Sequence, residues 1–260
     1  MIGMRIVFGY QCNYDCRFCY QEDKANRFNT FDEFIDAMEG VTPEFNPTYI
    51  TCMGGELTLD PELEEKLKYL QTRYYSTPLS ITTNGSGGFI NKYDKAEKVY
   101  ERLLSNYNLN ITFSLPTIDD YDWTVRQNVN IIDYCNMIKN LRKKFPEATM
   151  RINAYIFPEF WTQVYRFAKI NDLDLTLCEE LRKDNQAVFE ELPDIVRLVE
   201  NGTFKKTRRN KHELVFTDED GFQFWNYLHQ DNYDYNNVII LPDGTLTDDF
   251  GDCVNQKGKL

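Results

Sequence analysis

Histidine is scarce in this chain, only 2 in 260 residues, and both, His212 and His229, lie far from the cysteine-rich start. A cysteine–histidine metal site near the N-terminus is therefore poorly supplied. Positive charge is also short: 29 Lys and Arg against 41 Asp and Glu give a net charge of -12. That balance argues against a stand-alone duplex-DNA binder, while leaving room for a nucleotide or a local basic patch. No apolar run is long enough to span a bilayer, and Met1-Ile2-Gly3-Met4-Arg5 lacks the charged-then-apolar layout of a secretory signal. The expectation is a cytoplasmic protein without membrane attachment. Seven cysteines, an odd number, suit a reducing compartment better than a disulfide framework. Neither a flexible linker nor an internal repeat is present. With 42% hydrophobic and 27% charged residues, what remains is an ordinary globular chain, sized for one α/β barrel or two small domains.

The rest is organised around Phe8-Gly9-Tyr10-Gln11-Cys12-Asn13-Tyr14-Asp15-Cys16-Arg17-Phe18-Cys19-Tyr20. The apolar run Met4 to Tyr10 reads as a strand, and Cys12, Cys16 and Cys19 follow on one tight loop. Three thiolates leave one position of a four-site centre open, and iron–sulfur clusters and zinc are the usual occupants of sulfur-rich sites. A structural zinc knuckle is the plainer reading, but it is closed by four ligands and no fourth is evident.

The spacing Cys-x3-Cys-x-aromatic-Cys, with Phe18 as the aromatic, resembles the signature of the radical S-adenosylmethionine (radical SAM) enzymes. The resemblance implies a 4Fe-4S cluster held by Cys12, Cys16 and Cys19, with S-adenosylmethionine on the fourth iron. It further implies reductive cleavage of that cofactor to a 5'-deoxyadenosyl radical, which takes a hydrogen atom from a substrate. A one-electron reductant such as flavodoxin or ferredoxin is implied as partner. A non-catalytic metal-binding scaffold is the reading from another class.

Periodicity gives short β-runs alternating with amphipathic helices, the pattern of a parallel α/β sheet. The predicted strands are 4–10, 48–54, 79–84, 110–115, 150–157 and 173–178. Helices are predicted over 31–40, 61–74, 91–105, 124–145, 159–170 and 187–200. In the second, Asp60 reads as N-cap and Pro61 as first turn, with Leu63, Leu67, Leu70 and Tyr74 on one face. The fourth carries Val125, Val129, Ile132, Cys135 and Ile138 on one face, making Cys135 a core residue. Six βα units do not close an eight-stranded barrel; they suit the partial (β/α)6 TIM-like barrel that the resemblance implies. The expected division is a barrel over 1–200 and a C-terminal extension over 201–260 covering its opening.

Sites in such sheets gather at the carboxyl ends of the strands. The second strand runs into Gly54-Gly55-Glu56, where glycines admit a ligand close to the backbone and a carboxylate can receive an ammonium group. It looks like the family's Gly-Gly-Glu motif, which would hold the methionyl amino group of the cofactor. From the third strand on, apolar residues alternate with polar ones: Ser80, Thr82, Asn84; Thr112, Ser114; Arg151, Asn153, Tyr155; Asp174, Thr176, Cys178. With the apolar set against helices, the polar set lines the interior, as a ligand pocket requires or as trapped water would also allow.

By resemblance, Asn84 in Thr83-Asn84-Gly85 lies near the cofactor, and Ser114 and Asn153 contact its ribose or carboxylate. Arg126 resembles an arginine that neutralises the cofactor carboxylate from early in the fourth helix; a solvated helix charge is the alternative. Cys52, Cys178 and Glu180 have inward parity. For Cys52 a small core residue is the simpler reading, while Cys178 and Glu180, on the substrate side, are candidates to donate or accept a hydrogen.

In the tail a basic run, residues 205–211, precedes a possible strand over 212–217, an aromatic stretch over 222–227, and a Pro242-Asp243-Gly244 hairpin within 238–246. The hairpin resembles the start of the extension in peptide-modifying radical SAM enzymes, but only Cys253 follows, so an auxiliary cluster is not expected. A peptide or protein substrate is the first reading, from the hairpin. A nucleoside, nucleotide or nucleic-acid base is the second, from the basic run beside aromatics, which otherwise is a solvated loop.

Overall fold

The computed structural model describes residues 3–19, 27–41, 45–155, 160–178, 189–210, 213–227 and 237–247. The expected repeat is present: β1 (Gly3–Val7), α1 (Phe31–Glu39), β2 (Ile50–Met53), α2 (Leu63–Arg73), β3 (Leu79–Thr83), α3 (Tyr93–Asn106) and β4 (Leu109–Ser114). It continues through α4 (Tyr121–Val125), α5 (Ile131–Lys144), β5 (Met150–Tyr155), α6 (Trp161–Ile170) and β6 (Asp174–Cys178). Strands β1 to β6 pair in sequence order, all parallel. This is an α/β partial barrel whose sheet does not close.

Alternation along the strands sorts the side chains as expected. Ile81, Ile111, Phe113, Ile152, Ala154, Leu175 and Leu177 are fully buried under the helices, while their polar neighbours are half-exposed on the concave face. One inward assignment is corrected. Cys52 shares parity with Ile50 and packs into the helix-side core, so Thr51 and Met53 are the inward residues of β2. Burial pushes the Cys52 thiol up, well beyond the range of a reactive cysteine. Inside the barrel, Val7, Tyr10, Met53, Ile239 and Leu241 form a separate apolar patch, so the polar lining runs from Thr51, which meets Ser80 Oγ at 3.1 Å, across β3 to β6.

Two helix expectations change. Helix α2 begins at Leu63 with Glu62 as N-cap, and Asp60 Oδ1 instead accepts the Glu62 N–H at 2.9 Å, fixing the turn ahead of the helix. The expected fourth helix is two: Arg126, at φ 52, ends α4, and Asn130 starts α5 by accepting the Asp133 N–H at 3.3 Å. The new register turns Ile132 outward, 69% exposed, while Tyr134, Cys135, Ile138 and Leu141 form the buried face. Cys135 is a core residue, its thiol pushed up to about 11 by burial.

After β6 come α7 (Pro193–Glu200), β7 (Phe204–Asn210), β8 (Glu213–Asp218), β9 (Gln223–Tyr227), β10 (Asn237–Ile240) and β11 (Leu246–Thr247). These strands extend the sheet at both edges, in the order β11-β10-β1-β2-β3-β4-β5-β6-β9-β8-β7. Both β9 and β10 run parallel to their neighbours β6 and β1, so β10, β1 to β6 and β9 make eight parallel strands in a row. The basic run is an edge strand, not a loop. The extension is welded to α6 by a second aromatic core: Trp161 packs on Phe189, and Tyr165 on Phe204, Phe222 and Phe224. Lys169 and Tyr165 both reach the buried Asp218 carboxylate. No helix among the described residues is long and apolar enough to cross a membrane.

Candidate active site

The cysteine loop leaves β1 at Phe8 and lies directly on the end of β2. Gly55 N–H donates to the Gly9 carbonyl at 2.9 Å, and Glu56 N–H to the Gln11 carbonyl at 2.8 Å. A Cβ on Gly55 would stand 1.9 Å from the Gln11 oxygen, and one on Gly54 2.3 Å from the Gly9 oxygen. The glycine pair is thus required by the chain's own cysteine loop, where the sequence had suggested a ligand. On its other side the loop start is backed by residues 27–29: Asn29 N–H donates to the Phe8 carbonyl at 2.9 Å, and Gly9 bridges Phe28.

Glu56 is fully buried. Its carboxylate accepts from Thr58 N–H (3.2 Å), Thr58 Oγ1 (2.6 Å), Thr83 Oγ1 (2.7 Å) and the Asn84 N–H (2.7 Å). Three of these donors meet Oε1 and one, the Asn84 N–H, meets Oε2, so Oε2 keeps a site for a further donor. Burial nevertheless pushes the carboxyl up, outweighing the hydrogen bonds that pull it down. The side chain ties β2 to β3, and Thr83 carries the network on to the Tyr100 hydroxyl at 2.7 Å.

Asn84 reaches the cysteine loop, its Nδ2 lying 2.8 Å from Asn13 Oδ1 and 3.8 Å from Cys12 Sγ. Helix α4 grips the loop from the far side: Arg17 N–H donates to the Thr124 carbonyl at 3.0 Å, and the Arg17 guanidinium lies 4.1 Å from the centre of the Trp123 ring. Arg126 follows α4 as its left-handed cap instead of standing in a helical first turn, and pairs with Asp15 of the cysteine loop at 3.2 Å. Phe18 is buried, its ring 4.1 Å centre to centre from that of Tyr155. Behind the loop, Tyr14, Tyr93, Tyr121 and Tyr134 pack together, with Tyr14 and Tyr93 hydroxyls 3.3 Å apart.

Register places the inward residues in rows across the concave face. Ser114, Asn153, Thr176 and Trp225 form one row; Tyr155, Cys178, Tyr227 and Glu213 form the next, toward the cysteine loop. Neither Ser114 nor Asn153 has a side-chain hydrogen-bond partner among the described residues. Cys178 stands between two tyrosines; Glu180 lies outside the described residues. Trp225 and Tyr227 belong to the aromatic stretch of the tail, and only the pairing of β9 with β6 brings them to this face. Tyr155 was placed inward, but its stacking on Phe18 has no sequence signal.

Residues 6–169 match the family model of the Radical SAM superfamily. The chain belongs to that superfamily. The Radical SAM fold is seen again in solved structures. SuiB from Streptococcus suis, bound to precursor peptide SuiA, aligns with 14% identity and a TM-score of 0.69, covering 100% of this chain and 62% of SuiB. The enzyme anSMEcpe, with bound AdoMet and the Cp18Cys peptide, aligns with 20% identity and a TM-score of 0.50, over 67% of this chain and 50% of that one. Coproporphyrinogen III oxidase (HemN) from Escherichia coli gives 12% identity and a TM-score of 0.50, over 92% of this chain and 63% of HemN. The chain thus spans less than two thirds of the length of these structures. Comparison of the sequence with curated proteins yields no match.

Proposed function

We propose that this chain binds a 4Fe-4S cluster through Cys12, Cys16 and Cys19 and uses it to cleave S-adenosylmethionine and abstract a hydrogen atom from a peptide or protein. The observation that carries the reading is the docking of a three-cysteine loop, backbone on backbone, against Gly54-Gly55-Glu56 beside a row of unpartnered polar side chains. The donor set fits a cluster. None of the three is in a disulfide, and Cys12 Sγ receives the Tyr14 N–H at 3.5 Å and lies within reach of Asn84. Among the described residues no three His, Cys, Asp or Glu side chains converge as on a single ion.

When bound, such a cluster supplies the single electron that breaks the cofactor's carbon–sulfur bond. The chain's own residues bind and orient. Glu56, whose Oε2 accepts only the Asn84 N–H, and the Gly54 and Gly55 backbone are the acceptors offered to the methionyl amino group. Ser114 and Asn153 offer hydrogen bonds to the ribose or carboxylate, and Arg126, half-exposed beside the loop, offers a cation to the carboxylate. Phe18 and Tyr155 form an apolar wall that excludes water. Cys178, one row away on the substrate side, is the hydrogen-donor candidate. Flavodoxin or ferredoxin is the reductant class proposed.

A peptide substrate is favoured because the overlap with peptide-bound SuiB runs over the whole chain, extension included. The basic run that suggested a phosphate-bearing strand is partly neutralised: Lys206 and Arg208 face Glu190 at 2.8 and 3.5 Å, and Arg209 faces Glu213 at 3.5 Å.

The test is anaerobic reconstitution with iron and sulfide, reduction, addition of S-adenosylmethionine and chromatography for 5'-deoxyadenosine. Wild type should form it, Cys16→Ala should not, Glu56→Ala should form less, and Cys178→Ala should match wild type. Bound zinc in place of iron, or a reduced cluster whose magnetic resonance spectrum ignores S-adenosylmethionine, refutes the proposal in favour of a scaffold.

A further inference from the structure

Asn84 is the first residue past β3, and its main-chain N–H and both ends of its side-chain amide are hydrogen-bonded inside the protein. Its main-chain N–H donates to Glu56 Oε2 at 2.7 Å, and its Oδ1 accepts the Ser86 N–H at 2.9 Å. That second bond decides which way the amide faces. A backbone N–H can only donate, so the oxygen must turn toward Ser86 and the nitrogen toward the cysteine loop. Asn13 agrees: its own Nδ2 donates to Ser86 Oγ at 2.9 Å, leaving its Oδ1 to accept from Asn84 Nδ2 at 2.8 Å. The same nitrogen lies 3.8 Å from Cys12 Sγ, within reach of an N–H···S bond, and the Tyr14 N–H lies 3.5 Å from that sulfur.

The amide has little freedom to leave. Glu56, buried and itself held by Thr58 and Thr83, holds its backbone. Gly85, at φ +81, is pressed against the Tyr134 ring, 2.1 Å from where a Cβ would stand. Family resemblance had placed Asn84 near the cofactor, yet a side chain engaged at both ends is suited to a different task.

We propose that Asn84 is a positioning residue for the metal centre: it donates an N–H···S bond to Cys12 and thereby raises the reduction potential of the cluster bound there. The inference rests on the reading above that Cys12 is a cluster ligand. Reduction adds negative charge that spreads onto the thiolate sulfurs, and a donor aimed at one of them stabilises the reduced form more than the oxidised form. Glu56 takes part at one remove, since its carboxylate anchors the backbone from which the amide hangs.

The experiment is a potentiometric titration of the reconstituted protein, followed by electron paramagnetic resonance of the reduced cluster, without S-adenosylmethionine. Wild type, Asn84→Ala and Ser86→Ala are compared at equal iron and sulfide content. Ser86→Ala keeps the N–H that orients Asn84 but loses the neighbouring hydroxyl. In Asn84→Ala the reduction equilibrium should shift roughly tenfold toward the oxidised form, a fall of about 59 mV for one electron. In Ser86→Ala the shift should stay under about threefold on the same scale. Equal potentials in Asn84→Ala and wild type overturn the proposal, as does an equal fall in both variants. If Asn84→Ala takes up no cluster, double resonance on wild type labelled with 15N in the asparagine side chains decides: a nitrogen coupling to the reduced cluster supports it, and none overturns it. Wild type that takes up no four-iron cluster refutes the cluster reading itself, and the iron analysis shows this before any potential is read.

Discussion

Lys66 on α2 is fully buried, and its ammonium group uses all three of its donors: the Asn29 carbonyl at 2.5 Å, Asn29 Oδ1 at 3.2 Å and Asp60 Oδ2 at 2.7 Å. It also lies 5.3 Å from the centre of the Phe8 ring. The lysine therefore ties α2 to residues 27–29, the segment that backs the start of the cysteine loop. In Lys66→Met the aliphatic stem survives, but the Asp60 carboxylate stays buried without its cation. Breaking one side of a buried pair costs about 3–5 kcal/mol. For a chain of this size that lowers Tm by roughly 10 °C. Urea denaturation of the purified protein measures the loss. Lys66→Met combined with Asp60→Asn removes both charges and should recover a large part, because the penalty is chiefly the stranded carboxylate. A loss below about 1 kcal/mol in the single variant, as for an exposed pair, refutes the reasoning. So does a double variant no more stable than the single.

Two further predictions follow from other local features. The Tyr121 hydroxyl is buried with no hydrogen-bond partner among the described residues, so Tyr121→Phe should raise stability by about 1 kcal/mol in the same assay; an equal loss would show that the hydroxyl is satisfied. Glu33, in the capping box of α1, is held down to about 2 from 4.5, first by its hydrogen bond from Arg27 and then by the Thr30 N–H. A carboxyl lowered in the folded state stabilises above its unfolded pKa and loses that contribution as pH falls, here between about 4.5 and 2. Since the pair is largely exposed, Glu33→Gln should cost less than about 1 kcal/mol at neutral pH, and the gap to wild type should close across that window.

The barrel was legible because a strand with helices on one face and a lumen on the other must alternate, and β3 to β6 do so residue by residue. The tail was not, because periodicity identifies a strand without naming the edge it joins. Nothing in Gln223 to Tyr227 says that it lies parallel to β6, or in Asn237 to Ile240 that it lies parallel to β1. The basic run hid its strand for another reason. Residues 205–209 are exposed on both faces of β7, so no alternation was there to read. The break after α4 had a signal that was passed over: Asn130 three residues before Asp133 is an N-cap pattern, and a helix starting at Ile131 turns Ile132 to solvent.

At the site, the cysteine spacing carried the family, but the meaning of Gly-Gly-Glu changed once the backbone was visible. A glycine pair followed by a carboxylate reads as space for a ligand and a charge to receive it. Here Gly9 and Gln11 stand where a Cβ on either glycine would go, and Thr58, Thr83 and Asn84 donate to the carboxylate. The motif acts as a joint that seats the cysteine loop on β2 and locks β2 to β3. A joint and a ligand contact differ in what their loss does. Removing a contact weakens cofactor binding while the loop keeps its place; removing the joint strands the Thr58, Thr83 and Asn84 donors in a buried site and releases the Asn84 amide from Cys12. The Glu56 carboxylate therefore acts on the cysteine loop through Asn84, whose backbone it holds and whose amide meets Asn13.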